Sequence, residues 1–218
     1  MSTSIELATD FATITDALEA VVLRRRGSGA EESVTGALRR RLSEAEVAQS
    51  EGRYLAADLR WHLPATQLAN PPEVGDRILD GQGGDFTILE VAPQTIDSRT
   101  VVVGRDLAIA HTLCARIDIQ RATISLGTHG EQVVTWQDEL PGIRARIQPT
   151  STTLERSGDR QFMRTTHTIY LAEELTLDDL RRAIGPDGRV YDIVEYRGQD
   201  QIGALAELHV VHDAGNSI

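Results

Sequence analysis

Three short stretches of the chain carry groups that could do chemistry. His209 and His212 form a close histidine pair, and imidazole nitrogens are common ligands of zinc. Asp178 and Asp179 are adjacent carboxylates, which could act as a general acid and a general base. The glycine-rich stretch 81–84, Gly-Gln-Gly-Gly, could hold a phosphate if its amides opened a helix.

The elements expected around these groups favour a simpler interpretation of each. Residues 208–211 alternate like a β-strand, and histidines three residues apart on a strand point to opposite faces. Residues 176–184 are predicted to form a helix with Thr176 as N-cap, and the two aspartates suit its first turn. The glycine-rich stretch is followed by a strand, so we expect a turn. We therefore predict no catalytic residue, no metal site, no cofactor and no enzymatic activity.

A β-hairpin pattern occurs twice in the chain. Residues 78–91 align with residues 183–196 without a gap, and Phe86 falls on Tyr191. Each stretch contains a strand, a turn with glycine, and a second alternating strand, which is typical of a hairpin. Chance similarity between two amphipathic hairpins is the alternative to a true repeat.

The match extends towards the N-terminus if loops of unequal length are allowed. Residues 59–63 resemble residues 167–171, and a first strand at 20–23 resembles one at 122–126. Four to six short strands per repeat are typical of a small sandwich or barrel. The predicted fold class is therefore all-β, with two tandem small β-barrels or sandwiches, short helices and a mobile N-terminal arm.

This repeat also predicts the domain boundaries. Residues 1–18 would be the N-terminal arm, 19–110 the first β-barrel module, and 111–218 the second. A capping-box pattern at residues 43–46, Ser-Glu-Ala-Glu, predicts a short helix that ends near Gly52.

The charge of the chain bounds its partners. The 218 residues carry a net charge of −11, and all 22 basic residues are arginine. Because DNA affinity comes largely from neutralising phosphates, we expect no specific nucleic-acid binding. Arginine triplets at 24–26 and 39–41 are local exceptions, which either grip DNA or form solvated strands and salt bridges. No apolar stretch approaches the roughly 20 residues of a membrane span, so no membrane partner is expected.

A polar segment at residues 150–164 separates two stretches that read as paired strands. Connections of this length in compact domains are usually functional or disordered. We therefore expect a protruding loop that contacts a partner or lines a channel and adds little to stability. Its candidate contact residues are Ser151, Thr152, Thr153, Leu154, Glu155, Arg156, Asp159, Arg160 and Arg164.

Several stretches of the second module, taken in order, resemble a known family. They are Thr135-Trp136, Gly-Ile-Arg-Ala-Arg-Ile-Gln-Pro at 142–149, Thr-His-Thr-Ile-Tyr-Leu at 166–171 and Gly-Arg-Val-Tyr-Asp-Ile-Val-Glu at 188–195. This order is similar to the phage head–tail joining family of head-closure, adaptor and stopper proteins. The resemblance covers residues 121–212 and, more weakly, 19–106. A single barrel is usual in the family, so a tandem pair departs from its pattern.

This resemblance implies a structural virion protein in the neck of a tailed bacteriophage. Such a protein joins the portal or adaptor to the tail or terminator protein and closes the DNA exit channel during head completion. It self-associates into a hexameric or dodecameric ring and lets double-stranded DNA pass without specific binding. It resides in the virion neck, and in the host cytoplasm during assembly. The alternatives are another phage tail or baseplate component, or a non-viral β-barrel binding module for a glycan or peptide.

Overall fold

Two closed six-stranded barrels make up the described part of the chain. The computed structural model describes residues 17–93, 98–157, 160–177 and 180–213, with the side chains of all of these except 154–164 and 213. The chain divides into two units, Met1–Ala110 and His111–Ile218. The predicted all-β fold with tandem barrels is confirmed. Residues 1–16 of the predicted N-terminal arm lie outside the described residues.

The first barrel is antiparallel throughout, with strands adjacent in the order β1-β2-β3-β6-β5-β4 and β4 closing on β1. Its core consists of alternate strand residues such as Leu23, Trp61, Leu63 and Ile88, all fully buried. The elements are β1 (Glu19–Arg24), β2 (Glu31–Arg41), α1 (Glu44–Gln49), β3 (Leu59–Pro64), a 3-10 turn (Ala65–Gln67), β4 (Arg77–Asp80), β5 (Asp85–Val91), β6 (Arg99–Asp106) and α2 (Leu107–Ala110).

The second barrel has the same strand order, β7-β8-β9-β12-β11-β10, with β10 closing on β7. Its core contains Ile119, Ile169, Leu171 and Leu208, which are fully buried. The elements are β7 (Ala115–Leu126), β8 (Gln132–Ser157), β9 (Arg160–Leu171), β10 (Arg181–Ile184), β11 (Val190–Arg197) and β12 (Ala206–Asp213).

The two hairpins detected in the sequence have the same register. Phe86 pairs with Ile78, and Tyr191 pairs with Ala183. Each residue of the second pair lies 105 positions after its counterpart. A β-bulge also follows at the same place, after Ile88 in β5 and after Ile193 in β11. Apolar alternation alone does not require a shared bulge, so the match reflects one module used twice rather than chance.

The match between the first strands is wrong by several residues. Arg24 pairs with Arg77 in the first barrel, and its counterpart in the second is Gln120, which pairs with Arg182. Residues 122–126 therefore lie beyond the second barrel, in a hairpin that the first barrel lacks. Apolar residues also alternate within this hairpin, although in the opposite phase from Ile117 and Ile119, and this second alternation displaced the match.

The capping-box helix is confirmed as α1. The Ser43 hydroxyl accepts a hydrogen bond from the Glu46 amide, and the Glu46 carboxylate accepts one from the Ser43 amide at 2.7 Å. This amide and the Ser43 hydroxyl lower the pKa of Glu46 to about 2, with a further contribution from Arg60.

The helix predicted over residues 176–184 is wrong. Residues 178–179 lie outside the described residues, and Arg181–Ile184 forms strand β10. This short strand closes the barrel between β7 and β11 and buries Ala183 completely. Closure of the barrel and burial of its core outweigh the local helix signals, because propensity is a weak prior.

Candidate functional site: hairpin arms on the second barrel

The histidine pair is divided between two faces of β12, as predicted. The His212 ring lies beside the Tyr191 ring, and its Nδ1 is 3.0 Å from the Val190 carbonyl oxygen. His209 instead has its Nε2 3.5 Å from a Glu207 carboxylate oxygen. Across the described residues, no three His, Cys, Asp or Glu side chains are grouped so as to hold a metal ion. Asp178 and Asp179 lie outside the described residues.

The glycine-rich stretch is the turn between β4 and β5, as predicted. Gly83 has a φ of +82°, which suits glycine in a tight turn. The Asp80 carboxylate accepts hydrogen bonds from the amides of Gln82 at 2.9 Å and Gly84 at 2.7 Å. These two amides are therefore already bound to a carboxylate of the chain.

Both arginine triplets contribute to ion pairs. Arg25 contacts Glu32 at 2.7 Å and Asp76 at 3.0 Å. Arg39 contacts Asp80 at 2.7 Å and packs over the Trp61 ring at 5.9 Å. Neutralised arginines add little attraction for phosphate, so these contacts favour the salt-bridge interpretation over a grip on DNA.

In the polar segment, residues 150–157 and 160–164 form two paired strands, so the prediction of a loop there is wrong. Strand β8 continues to Ser157, and β9 begins at Arg160. We call the ribbon formed by residues 151–157 and 160–166 the second arm. Of its predicted contact residues, Asp159 lies outside the described residues. The others lie on β8 (Ser151, Thr152, Thr153, Leu154, Glu155 and Arg156) or on β9 (Arg160 and Arg164).

Threonine explains why this polar segment is a strand. Its β-branched side chain favours extended backbone, although its hydroxyl makes the sequence look like a loop. The hydroxyls also interact across the strands, because Thr150 and Thr168 oxygens lie 3.1 Å apart and the Thr166 hydroxyl donates to the Ser151 carbonyl at 3.3 Å. The sequence signal was available, since neither glycine nor proline interrupts residues 150–157.

The second arm is anchored where β9 enters the barrel. His167 is only 8% exposed, and its ring meets the Tyr191 ring edge-on with centroids 5.2 Å apart. Pro149 pairs with His167, and the register shifts between Pro149 and Ser151. Burial lowers the pKa of His167, with smaller contributions from His212 and Arg189. A neutral, buried histidine therefore lies at the root of the arm.

A second ribbon is formed by the N-terminal part of β8, at the opposite end of this strand from the second arm. Residues 120–126 of β7 pair with residues 132–138 of β8, and we call this ribbon the first arm. At its base the Arg182 guanidinium lies 4.1 Å from the centre of the Trp136 ring and donates to the Gln120 side chain at 2.9 Å. Sequence reasoning found only one strand of this arm and placed it in the barrel.

Both arms depend on the length of β8. This strand has 26 residues, whereas its counterpart β2 has 11. Its middle lies in the barrel wall between β7 and β9, and its two ends form one strand of each arm. The described side chains at the base of the second arm, Ser151 to Thr153, are exposed. The arrangement is thus a rigid barrel that presents two projecting hairpins, which suits contacts with other polypeptides.

No family model, no curated protein and no solved structure matches this chain. The resemblance to the head–tail joining family therefore stays a prediction. Of the helices in the described residues, none has the length and apolar character to span a membrane.

Proposed function

We propose that this chain is a structural virion protein in the neck of a tailed bacteriophage, where it connects the portal or adaptor to the tail. Copies of the chain form a ring, and the ring closes the exit channel after DNA is packaged. Its activity is geometric and resides in surfaces that bind other subunits. A tail or baseplate component, or a binding module outside any virus, is the rival function.

The observation that carries the proposal is the pair of arms on the second barrel. The stretches that resemble the head–tail joining family form the central strands of that barrel and the roots of both arms. A closed barrel has no free sheet edge, so it does not associate by strand pairing. The arms provide free edges beyond the barrel, and free edges pair with other chains.

Charge is compatible with a DNA channel. The net charge of −11 repels phosphate, and the ion pairs of both arginine triplets withdraw positive charge from the surface. A ring repeats every contact around its axis, so even weak arginine–phosphate contacts would add up to a trap. An acidic passage instead leaves the DNA free to exit.

The experiment is to inactivate the gene in a phage that encodes the chain and to examine the particles by electron microscopy. We expect full heads without tails, leakage of DNA, and separate complete tails. Supplying the chain from a plasmid should restore joined, infectious particles. Tailed particles that lack only a baseplate would favour the tail-component function. Normal infectious particles would refute a role in the virion.

A further inference from the structure

The first arm has an apolar face that its own barrel does not use. Within the barrel, Ile117 and Ile119 point into the core and are buried. Beyond Gln120 the apolar positions change phase, because Ile124 and Leu126 lie on the face that continues the outer surface. Ile124 is 49% exposed and Leu126 is 75% exposed. The core of this barrel therefore does not account for the pattern.

The face consists of cross-strand pairs. Ile124 pairs with Val134, which is 48% exposed, and Ala122 pairs with Trp136. The opposite face is mostly polar, because it carries Thr123, Ser125 and Thr135 together with one large apolar side chain, Val133. Ala122 is buried and the Trp136 ring lies against Arg182, so the exposed part of the face consists of Ile124, Leu126 and Val134. Exposed apolar surface of this kind is characteristic of protein contact sites.

The same unit has a cleft at the other end of β7. Its volume is about 490 Å³. The apolar side chains of its wall include Ile147, Pro149 and Tyr191, and the charged side chains of Arg146, Asp187 and Arg189 also line it. Cys114, which is exposed, also lines the cleft.

A chain cannot place its own first arm in its own cleft. Ala115 lies in the wall of the cleft and begins β7, whereas Leu126 ends the same strand. A strand rises by ~3.3 Å per residue, so the two ends are roughly 35 Å apart. The side chains of Ile124, Leu126 and Val134 contain eleven carbon atoms. At about 30 Å³ for each group, close to the share of a water molecule in the liquid, they occupy about 330 Å³, which is less than the volume of the cleft.

We infer that the apolar face of the first arm inserts into the cleft of a second copy of this chain. Donor and acceptor surfaces at opposite ends of one unit produce a head-to-tail contact, which forms a ring when its rotation closes. The six residues of the face, Ala122, Ile124, Leu126, Gln132, Val134 and Trp136, carry no charge. The exposed side chains of Ile124, Leu126 and Val134 can therefore enter the cleft of another acidic copy without burying a charge, while Arg182 stays at the base of the arm against Trp136. This inference rests on the self-association in the proposed function and specifies its contact.

The single native cysteine allows a direct test in the full chain. A Leu126→Cys variant has thiols at Cys114 and at the arm tip, too far apart to join within one chain. After oxidation of the concentrated protein, we expect a ladder of dimers, trimers and larger species on a non-reducing gel. The control is Ser125→Cys, which places a thiol at nearly the same height on the opposite face. Equal cross-linking of the two variants, or none, would overturn the inference.

A second variant pair identifies the acceptor. Adding Cys114→Ser to Leu126→Cys should abolish the ladder. Dimers that persist would show that two arms contact each other and would refute insertion into the cleft. Failure here is distinct from failure of the neck function. If gene inactivation gives tailless heads but the Leu126→Cys variant forms no ladder, the neck function stands and the contact is refuted. If the variant forms a ladder but gene inactivation gives normal virions, the contact stands and the neck function is refuted.

Discussion

Removal of Arg105 should destabilise the first barrel strongly, because its partner Asp58 is fully buried. The Arg105 guanidinium donates to both Asp58 carboxylate oxygens at 2.8 Å and to the Arg53 carbonyl at 2.9 Å. The Leu55 amide donates to the same carboxylate. Arg105→Met would leave a buried carboxylate without its cation.

The size of the effect follows from burial. Breaking a buried ion pair by removing one partner costs about 3–5 kcal/mol. The Arg105 side chain is 17% exposed, so water reaches it and we expect the lower end of that range, about 3 kcal/mol. The matched control is Arg24→Met in the same barrel. Arg24 and Glu31 are 38% and 50% exposed, and such a pair is worth up to about 1 kcal/mol.

The assay uses the distribution of the two tryptophans. Trp61 is fully buried in the first barrel, whereas Trp136 belongs to the second barrel and lies on its first arm. In a Trp136→Phe background, tryptophan fluorescence during urea unfolding reports the first barrel alone. With a slope of about 1–3 kcal/mol per molar urea, a loss of 3 kcal/mol lowers the midpoint by roughly 1–3 M.

A double variant tests the physical reason. Asp58→Asn keeps an acceptor for the Leu55 amide but removes the buried charge. Combined with Arg105→Met, it should cost less than the sum of the two single changes, because no carboxylate is left unpaired. Additive losses, or a loss for Arg105→Met no larger than for Arg24→Met, would refute the reasoning.

Three further predictions concern the second arm, its root and a turn. Replacing residues 152–165 with Asn-Gly should leave the melting temperature within a few degrees, while filled heads lose tail attachment; unfolding would place the arm in the core. Burial lowers the pKa of His167 from its ordinary value of 6.5, so the unfolded chain binds its proton more readily. The stability that this histidine contributes above pH 6.5 should thus be lost as the pH falls through its folded pKa. The loss should be smaller in His167→Phe than in the control His129→Phe, and melting curves at several pH values measure it. Gly84→Ala places a Cβ 2.7 Å from a core ring carbon and should cost about 1–3 kcal/mol in urea titrations, whereas Gly81→Ala, with no atom within 4 Å, should cost less than about 0.5 kcal/mol.

The sequence revealed the repeated hairpin because its signals are local. A strand, a turn with glycine and a strand lie within fourteen residues, and the turn fixes the register. The same is true of α1, whose capping box spans Ser43 to Glu46. The sequence predicted small barrels or sandwiches as a fold class, but it did not show which strands close each barrel. Closure depends on pairs such as β1 with β4 that are distant in sequence.

The errors arose where tertiary contacts override local signals. Arg181–Ile184 has helix-like flanks, yet pairing on both sides makes it a strand. The threonine-rich second arm was interpreted by polarity rather than by β-propensity. The first arm and its apolar face were missed because the phase change after Gln120 has meaning only once the barrel wall is known.

The shared strand order creates a hazard during folding, because a strand could close the wrong barrel. Gly104 pairs with Leu59 in the first barrel, and Val210 pairs with His167 at the equivalent position in the second. A Cβ on residue 104 would lie 3.6 Å from Trp61 and 3.1 Å from the Phe86 Cβ, so the branched side chain of Val210 could take this position only if Phe86 moved. Overpacking of this kind costs about 1–3 kcal/mol. The difference in side-chain volume at this core position therefore disfavours a barrel in which β12 replaces β6.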